Sequence, residues 1–179
     1  MAAATQSVPA LLTLDEYLRT SYHPDCDFVD DHIEERNLGE FDHGILQAVL
    51  MELFRRHRKE WKIRPALDTR TQVGPTRFRV PDVCITDATL PKEQILRAVP
   101  ILCIEVLSPA DTLRKMRIRS EDYFHMGVPV VWILNPRLRN ITICLPGGVA
   151  TTHKAGVVTV EGTPIAVDLN EIYSALDED

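Results

Sequence analysis

Arg79-Val80-Pro81-Asp82-Val83-Cys84-Ile85 and, further along, Pro100-Ile101-Leu102-Cys103-Ile104-Glu105-Val106-Leu107-Ser108-Pro109 are two apolar runs, each interrupted by one acid. Short apolar runs bounded by turn residues read as strands buried on both faces. A carboxylate inside such a strand is costly unless something pairs with it. Where two of them converge, a divalent cation is the usual compensating partner. Asp82 and Glu105 therefore suggest a metal site, and with it phosphodiester chemistry. The structural alternative is that Asp82 caps a turn after Pro81 and Glu105 pairs with a core arginine.

The second run opens a unit that sets the fold class. Ile101 to Leu107 reads as a strand, Pro109 with Asp111 or Thr112 introduces a helix, and Gly127 ends that helix as a C-terminal cap. Val128-Pro129-Val130-Val131-Trp132-Ile133-Leu134 is a second buried strand, so the two should be parallel with a right-handed crossover. Upstream, Arg64 to Val73 and Arg77 to Ile85 read as two strands joined by the turn Val73-Gly74-Pro75-Thr76. Asp42 is expected to cap a helix running to about Lys59, with Ile45, Leu46, Val49, Leu50, Leu53 and Phe54 at helical spacing. Cys26 to Arg36 reads as a hairpin closed at Asp30-Asp31, and Thr13 with Glu16 as the capping box of a short helix. Gln94 to Val99 reads as a short amphipathic turn. Ile141 to Leu145, Val149 to His153 and Val157 to Val160 read as short strands, and Leu169 to Leu176 as a terminal helix. The class is α/β, with a mixed central sheet flanked by helices and an N-terminal β-hairpin.

With 179 residues and no repeats or long linkers, the chain reads as one domain, 1–179. A net charge of −6 argues against a general nucleic-acid coat protein. The charge is uneven: residues 1–42 hold ten acids against two arginines, a net of −8, so the rest carries +2. Two basic clusters stand out, Arg55-Arg56-His57-Arg58-Lys59 and Arg114-Lys115-Met116-Arg117-Ile118-Arg119, as solvated helix faces or as phosphate-facing ones. Cys26, Cys84, Cys103 and Cys144 have no zinc-type spacing and suit a reducing compartment. Ala2 to Thr5 has no charged leader region, and no apolar run approaches a membrane span. A soluble, cytoplasmic protein is expected.

Four patterns, in order, resemble the Uma family of putative restriction endonucleases, a branch of the PD-(D/E)XK nuclease superfamily. They are Asp27-Phe28-Val29-Asp30-Asp31-His32-Ile33-Glu34-Glu35-Arg36 with Asp42-His43-Gly44; Arg79-Val80-Pro81-Asp82-Val83; Ile104-Glu105-Val106-Leu107-Ser108-Pro109; and Tyr123-Phe124-His125-Met126-Gly127-Val128-Pro129 running into Val131-Trp132-Ile133-Leu134-Asn135-Pro136. The set covers roughly Thr13 to Arg137. It implies a restriction-endonuclease-like core at about 25–145, with Asp82 and Glu105 as the acidic pair that binds magnesium or manganese. Glu34 and His43 match an acidic and a histidine position of the family, and the family's hairpin glycine is replaced by Asp31.

The resemblance also has a gap. The superfamily motif places lysine two residues after the glutamate, where this chain has Leu107. The position similar to the helical lysine that some relatives use instead is Arg119, with Lys115 one turn earlier. Arginine stays protonated, so Arg119 would stabilise charge rather than activate water, and Arg119→Lys is expected to raise activity. The plain alternatives are surface pairs, Arg117 with Glu121 and Arg119 with Asp122. Two functions follow: a metal-dependent endonuclease acting on DNA, or a catalytically impaired nuclease-fold protein that binds DNA or a protein partner. A homodimer would suit double-strand cleavage; no membrane association is expected.

Overall fold

The computed structural model describes residues 12–23, 25–37 and 39–177. The absence of a leader read from Ala2 to Thr5 concerns residues outside that range. The chain begins with α1 (Leu14–Arg19), where Thr13 and Glu16 form the expected capping box. The hairpin β1 (Cys26–Val29) and β2 (His32–Glu35) follows. Asp30 and Asp31 turn it with φ of 49° and 65°, two left-handed residues in a row, which aspartate tolerates better than most. Asp31 in place of glycine therefore still closes the hairpin.

The long helix α2 (Phe41–His57) starts one residue before the expected cap: Glu40 holds the cap position without a side-chain hydrogen bond, and Asp42 lies inside the first turn. The two long strands expected from Arg64 to Ile85 are in fact four: β3 (Ile63–Leu67), β4 (Thr71–Gly74), β5 (Arg77–Arg79) and β6 (Val83–Asp87). β3 and β6 belong to one sheet and β4 and β5 to another, because the chain leaves the first at Asp68 and returns at Pro81-Asp82. The segment from Gln94 to Val99, read as a short amphipathic turn, is a run of bends in which Leu96 bridges to Thr71. Then come β7 (Leu102–Val106), α3 (Leu113–Met126), β8 (Val131–Asn135), β9 (Asn140–Cys144), β10 (Ala150–His153), β11 (Val157–Thr159), β12 (Ala166–Asp168) and α4 (Leu169–Ser174). Strand β12 gave no alternating signal in the sequence.

A six-stranded mixed sheet, ordered β10-β9-β8-β7-β6-β3, forms the centre. Only β7 and β8 run parallel, as the strand–helix–strand unit requires. On one face, Leu46, Leu50, Leu53 and Phe54 of α2 pack on Val83, Ile85, Leu102, Ile104 and Trp132, with Ile172 of α4 alongside. On the other, Met116 and Tyr123 of α3 pack on Cys103, Val131 and Ile133. A second sheet, β2-β1-β5-β4, carries its own cluster of Tyr17, Phe28 and Phe78. The four cysteines are buried thiols with no disulfide. No helix among the described residues is long and apolar enough to cross a membrane.

Helix α3 ends where Gly127 adopts φ of 103°, with its N–H bonded to the Phe124 carbonyl at 2.9 Å. A Cβ there would meet Val99 at an ordinary 3.7 Å, so space is available and only the backbone conformation objects. Gly127→Ala should therefore cost about 1–2 kcal/mol, lowering the urea midpoint without changing the m-value; an unchanged midpoint would contradict this reading.

Candidate active site

Strands β6 and β7 are antiparallel, and Val83 lies opposite Ile104. One step further along that register brings Asp82, just ahead of β6, opposite Glu105 near the end of β7. The same step sends both side chains away from the apolar face that Val83 and Ile104 present to α2. The two acids are almost fully enclosed, at 1% and 2% exposure, so every charge on them must be compensated locally.

The compensation is specific. Asp82 Oδ2 accepts the Val106 N–H at 2.6 Å and lies 3.4 Å from His43 Nε2, while Oδ1 pairs with Arg36. Arg36 also reaches Asp68 at 2.9 Å. The structural alternative for Asp82, a turn cap, is replaced by a contact across to the next strand. Glu105 Oε1 accepts the Tyr123 hydroxyl at 2.6 Å and Arg119 Nη2 at 3.1 Å. Glu105 thus does pair with a core arginine.

Arg119 is the more surprising residue. The alternative surface pair with Asp122 is not formed among the described residues. The side chain turns inward, with Nη1 2.7 Å from Asp27 Oδ2 and Nη2 also donating to the Val80 carbonyl at 3.1 Å. Asp122 is taken by Arg79, at 2.8 Å from Nε, and by Arg77 at 2.7 Å. Arg79 Nη1 further donates to Asp27 at 2.9 Å and to Glu34 at 2.5 Å. Asp27, wholly buried, thus binds two guanidiniums through Oδ2 and the Val80 N–H through Oδ1. Arg117, expected to pair with Glu121, donates instead to the Gly148 carbonyl at 3.1 Å.

One cavity of about 360 Å3 is lined by all six residues singled out in the sequence: Glu34, His43, Asp82, Glu105, Lys115 and Arg119. They arrive from β2, α2, the entry to β6, β7 and α3. Lys115, in the first turn of α3, is exposed and has no ion pair among the described residues. Asp27, Arg36 and Arg79 line the same cavity, and Tyr123 supports it from behind Glu105. Sequence reasoning passed over these four. The available signals were an aspartate between the two buried positions Cys26 and Phe28, and arginines flanking otherwise apolar strands.

The pKa values of Asp82 and Glu105 are moved in opposite directions. Burial works against the Asp82 carboxylate, but the His43 hydrogen bond and the charge of Arg36 outweigh it, and its pKa is lowered. Burial pushes Glu105 up to about 7, opposed by Arg119 and reinforced by the negative charge of Asp82. Burial likewise pulls His43 down, yet its hydrogen bond to Asp82 and the Asp82 charge leave it raised. Such separation of two neighbouring acids is the arrangement in which one stays ionised while the other exchanges a proton near neutrality.

The donor set fits a hard divalent cation. Two carboxylates, with water and substrate oxygens completing the shell, is how magnesium is commonly held. Both polar contacts of Glu105 fall on Oε1, leaving its other oxygen for the cavity. Among the described residues no group of three or more His, Cys, Asp or Glu side chains is placed to hold a metal ion, so protein ligands would be limited to the two acids. In addition Arg119 Nε is a buried donor without an acceptor, which suits an anionic oxygen nearby.

Two measurements on the metal-free protein test this electrostatic picture. Asp27→Ala leaves Arg79 and Arg119 without their shared carboxylate and should cost about 3–5 kcal/mol in urea unfolding; a loss under about 1 kcal/mol would contradict the hub role. Because the Glu105 pKa rises on folding, its contribution is complete below the ordinary value of 4.5 and disappears as pH rises through about 7. Between pH 5 and 8 in a chelator, wild-type stability should fall more than that of Glu105→Gln. Parallel curves would refute the shift.

The family model Uma2, described as "Putative restriction endonuclease", matches residues 14–169. The fold matches the crystal structure of a "putative nuclease belonging to DUF820" from Anabaena variabilis, with a TM-score of 0.82 at 19% identity, over 92% of this chain and 99% of that one. At this identity the likeness shows a common fold. No curated protein matches the chain. The family match runs from α1 to the start of α4 and takes in every residue of the cavity: the chain belongs to the Uma2 family of putative restriction endonucleases.

Proposed function

We propose that the chain is a metal-dependent endonuclease that hydrolyses phosphodiester bonds of DNA. The observation that carries this reading is the convergence of Glu34, His43, Asp82, Glu105, Lys115 and Arg119 on one cavity, with two buried carboxylates at facing strand ends. Asp82 and Glu105 would hold magnesium, or manganese in its place. Bound there, the cation would supply an activated water and neutralise charge on the scissile phosphate.

The protein's own groups divide the remaining work. Arg119 is committed to Asp27, Glu105 and Val80, so it fixes the Glu105 carboxylate and adds positive field. A lysine has no fork to serve three partners, and the expectation that Arg119→Lys raises activity is withdrawn: it should lower both stability and activity. Among the described residues that line the cavity, Lys115 is the cation without an ion pair and the better phosphate contact. His43, biased toward its charged form by Asp82, is suited to give a proton to the departing oxygen rather than to remove one from water. Glu34, half-exposed and tied to Arg79, orients water at the rim. Two copies of the chain would be needed to cut both strands at once, which a homodimer would provide.

A second reading, a nuclease-fold protein that binds DNA or a protein partner without cutting, is favoured by one observation. Leu107 fills the motif lysine position and the substitute Arg119 is fully engaged. Nicking of supercoiled plasmid with magnesium or manganese separates the two. The endonuclease reading predicts cleavage that is abolished by chelator, by Asp82→Asn and by Glu105→Gln, and lowered at least tenfold by Lys115→Met with DNA affinity nearly intact. Cleavage surviving in both acid variants would refute the assignment, and binding without cleavage under every metal would leave the second reading.

A further inference from the structure

The basic run Arg55-Arg56-His57-Arg58-Lys59 takes no part in the cavity described above. It lies at the opposite end of α2 from His43, where the helix gives way to β3. There a shallow depression of about 530 Å3 is lined by Arg55, Arg58, Lys59, Lys62 and Arg64, with no carboxylate in its wall. For a chain of net charge −6 this is a concentrated positive field.

Of the nearby acids, Glu60 pairs with His57 at 3.0 Å and Glu52 with Arg56 at 2.9 Å. Asp87 accepts the Thr89 N–H at 2.8 Å and hydroxyl at 2.7 Å, and its charge is felt by Arg64 and Lys62 without an ion pair, so it offsets part of the field. None of the five lining cations has an ion pair among the described residues. Complementing the helix dipole accounts for Arg55 in the last turn, but not for Lys62 and Arg64, which lie beyond the helix. Lys62 also adopts φ of 53°, a backbone conformation that glycine or asparagine takes more easily. Arg64 is fixed by the Ala88 and Leu90 carbonyls, at 3.0 and 3.2 Å, which leave its charge in place.

We infer that this depression is a second binding site, taking the phosphate backbone of duplex DNA. It holds the arm of the substrate that extends beyond the point of cutting. The identity of the polymer rests on the endonuclease reading; the charge and placement of the depression do not. Two elements run from it to the active site. Helix α2 carries His43 in its first turn, and edge strand β3 ends beside Asp68, which pairs with Arg36. From His43 to Arg55 along α2 is about 18 Å, roughly five base pairs of duplex. Several phosphates can therefore be held without reaching the chemistry.

The test is fluorescence anisotropy of a 20-base-pair duplex in chelator, from low to moderate salt. Lys59→Gln with Lys62→Asn removes two unpaired charges, and asparagine tolerates the left-handed position. Expected are at least tenfold weaker binding and a salt slope reduced by about 1.8. The control Lys154→Gln, beyond β10 at the opposite sheet edge, should bind as wild type. Equal affinity and slope in the double variant and wild type would overturn the proposal, as would binding of poly-glutamate but not of the duplex. Plasmid nicking on the same samples keeps the two readings apart. Loss of binding at the depression by a protein that cuts no DNA supports the site and removes the nuclease. Unaltered binding by a double variant that still cuts removes the site and keeps the nuclease.

Discussion

Asp27 is the residue on which the electrostatics of this protein turn. It is fully buried, yet it accepts Arg79, Arg119 and the Val80 N–H, and so ties the hairpin, β5 and α3 into one charged layer beneath the cavity. Removing either guanidinium would leave the carboxylate with one cation instead of two, and removing the carboxylate would take a buried partner from both, Arg79 keeping Asp122 and Arg119 keeping Glu105. Glu105 and Asp122 extend the layer in two directions. The candidate site is thus built on alternating buried charges that hold each other in place, rather than on apolar packing.

This arrangement explains why acids can sit inside strands that otherwise bury only apolar groups. The sheet supplies position: antiparallel β6 and β7 bring Asp82 opposite Glu105, and parallel β7 and β8 set α3 across the same face. The helices supply charge and a hydroxyl donor: His43 comes from α2, Arg119 and Lys115 from α3, and the Tyr123 hydroxyl from α3 as well. Environment then separates the two acids, Asp82 favouring the ionised form and Glu105 rising toward neutrality. In the proposed function, a site poised in this way would exchange a proton for a cation at little electrostatic cost.

Much of this was legible in the sequence, for physical reasons. The strand–helix–strand unit was readable because Ile101 to Leu107 and Val128 to Leu134 are continuous apolar runs and Gly127 needs a left-handed cap. Asp82 and Glu105 stood out because isolated acids in apolar runs demand an explanation. What stayed hidden depends on contacts between distant segments. Periodicity cannot show that Asp68 and Pro81-Asp82 break two apparent strands into four, since each half keeps its alternation while changing sheets. Nor can a surface-like helix such as α3, rich in charge, reveal that Arg119 turns inward to Asp27 or that Asp122 is buried against Arg79. Arg36 and Arg79 were invisible for the same reason: their partners lie 46 and 52 positions away in the chain.

The claim that matters most is that Asp82 and Glu105 together hold a divalent cation. The most direct measurement is anomalous diffraction from crystals soaked in manganese. A peak is expected within about 2.2 Å of one oxygen from each carboxylate, absent in Glu105→Gln crystals, with Arg36 drawn away from Asp82. A peak elsewhere, or none between the two acids at saturating manganese, would contradict it.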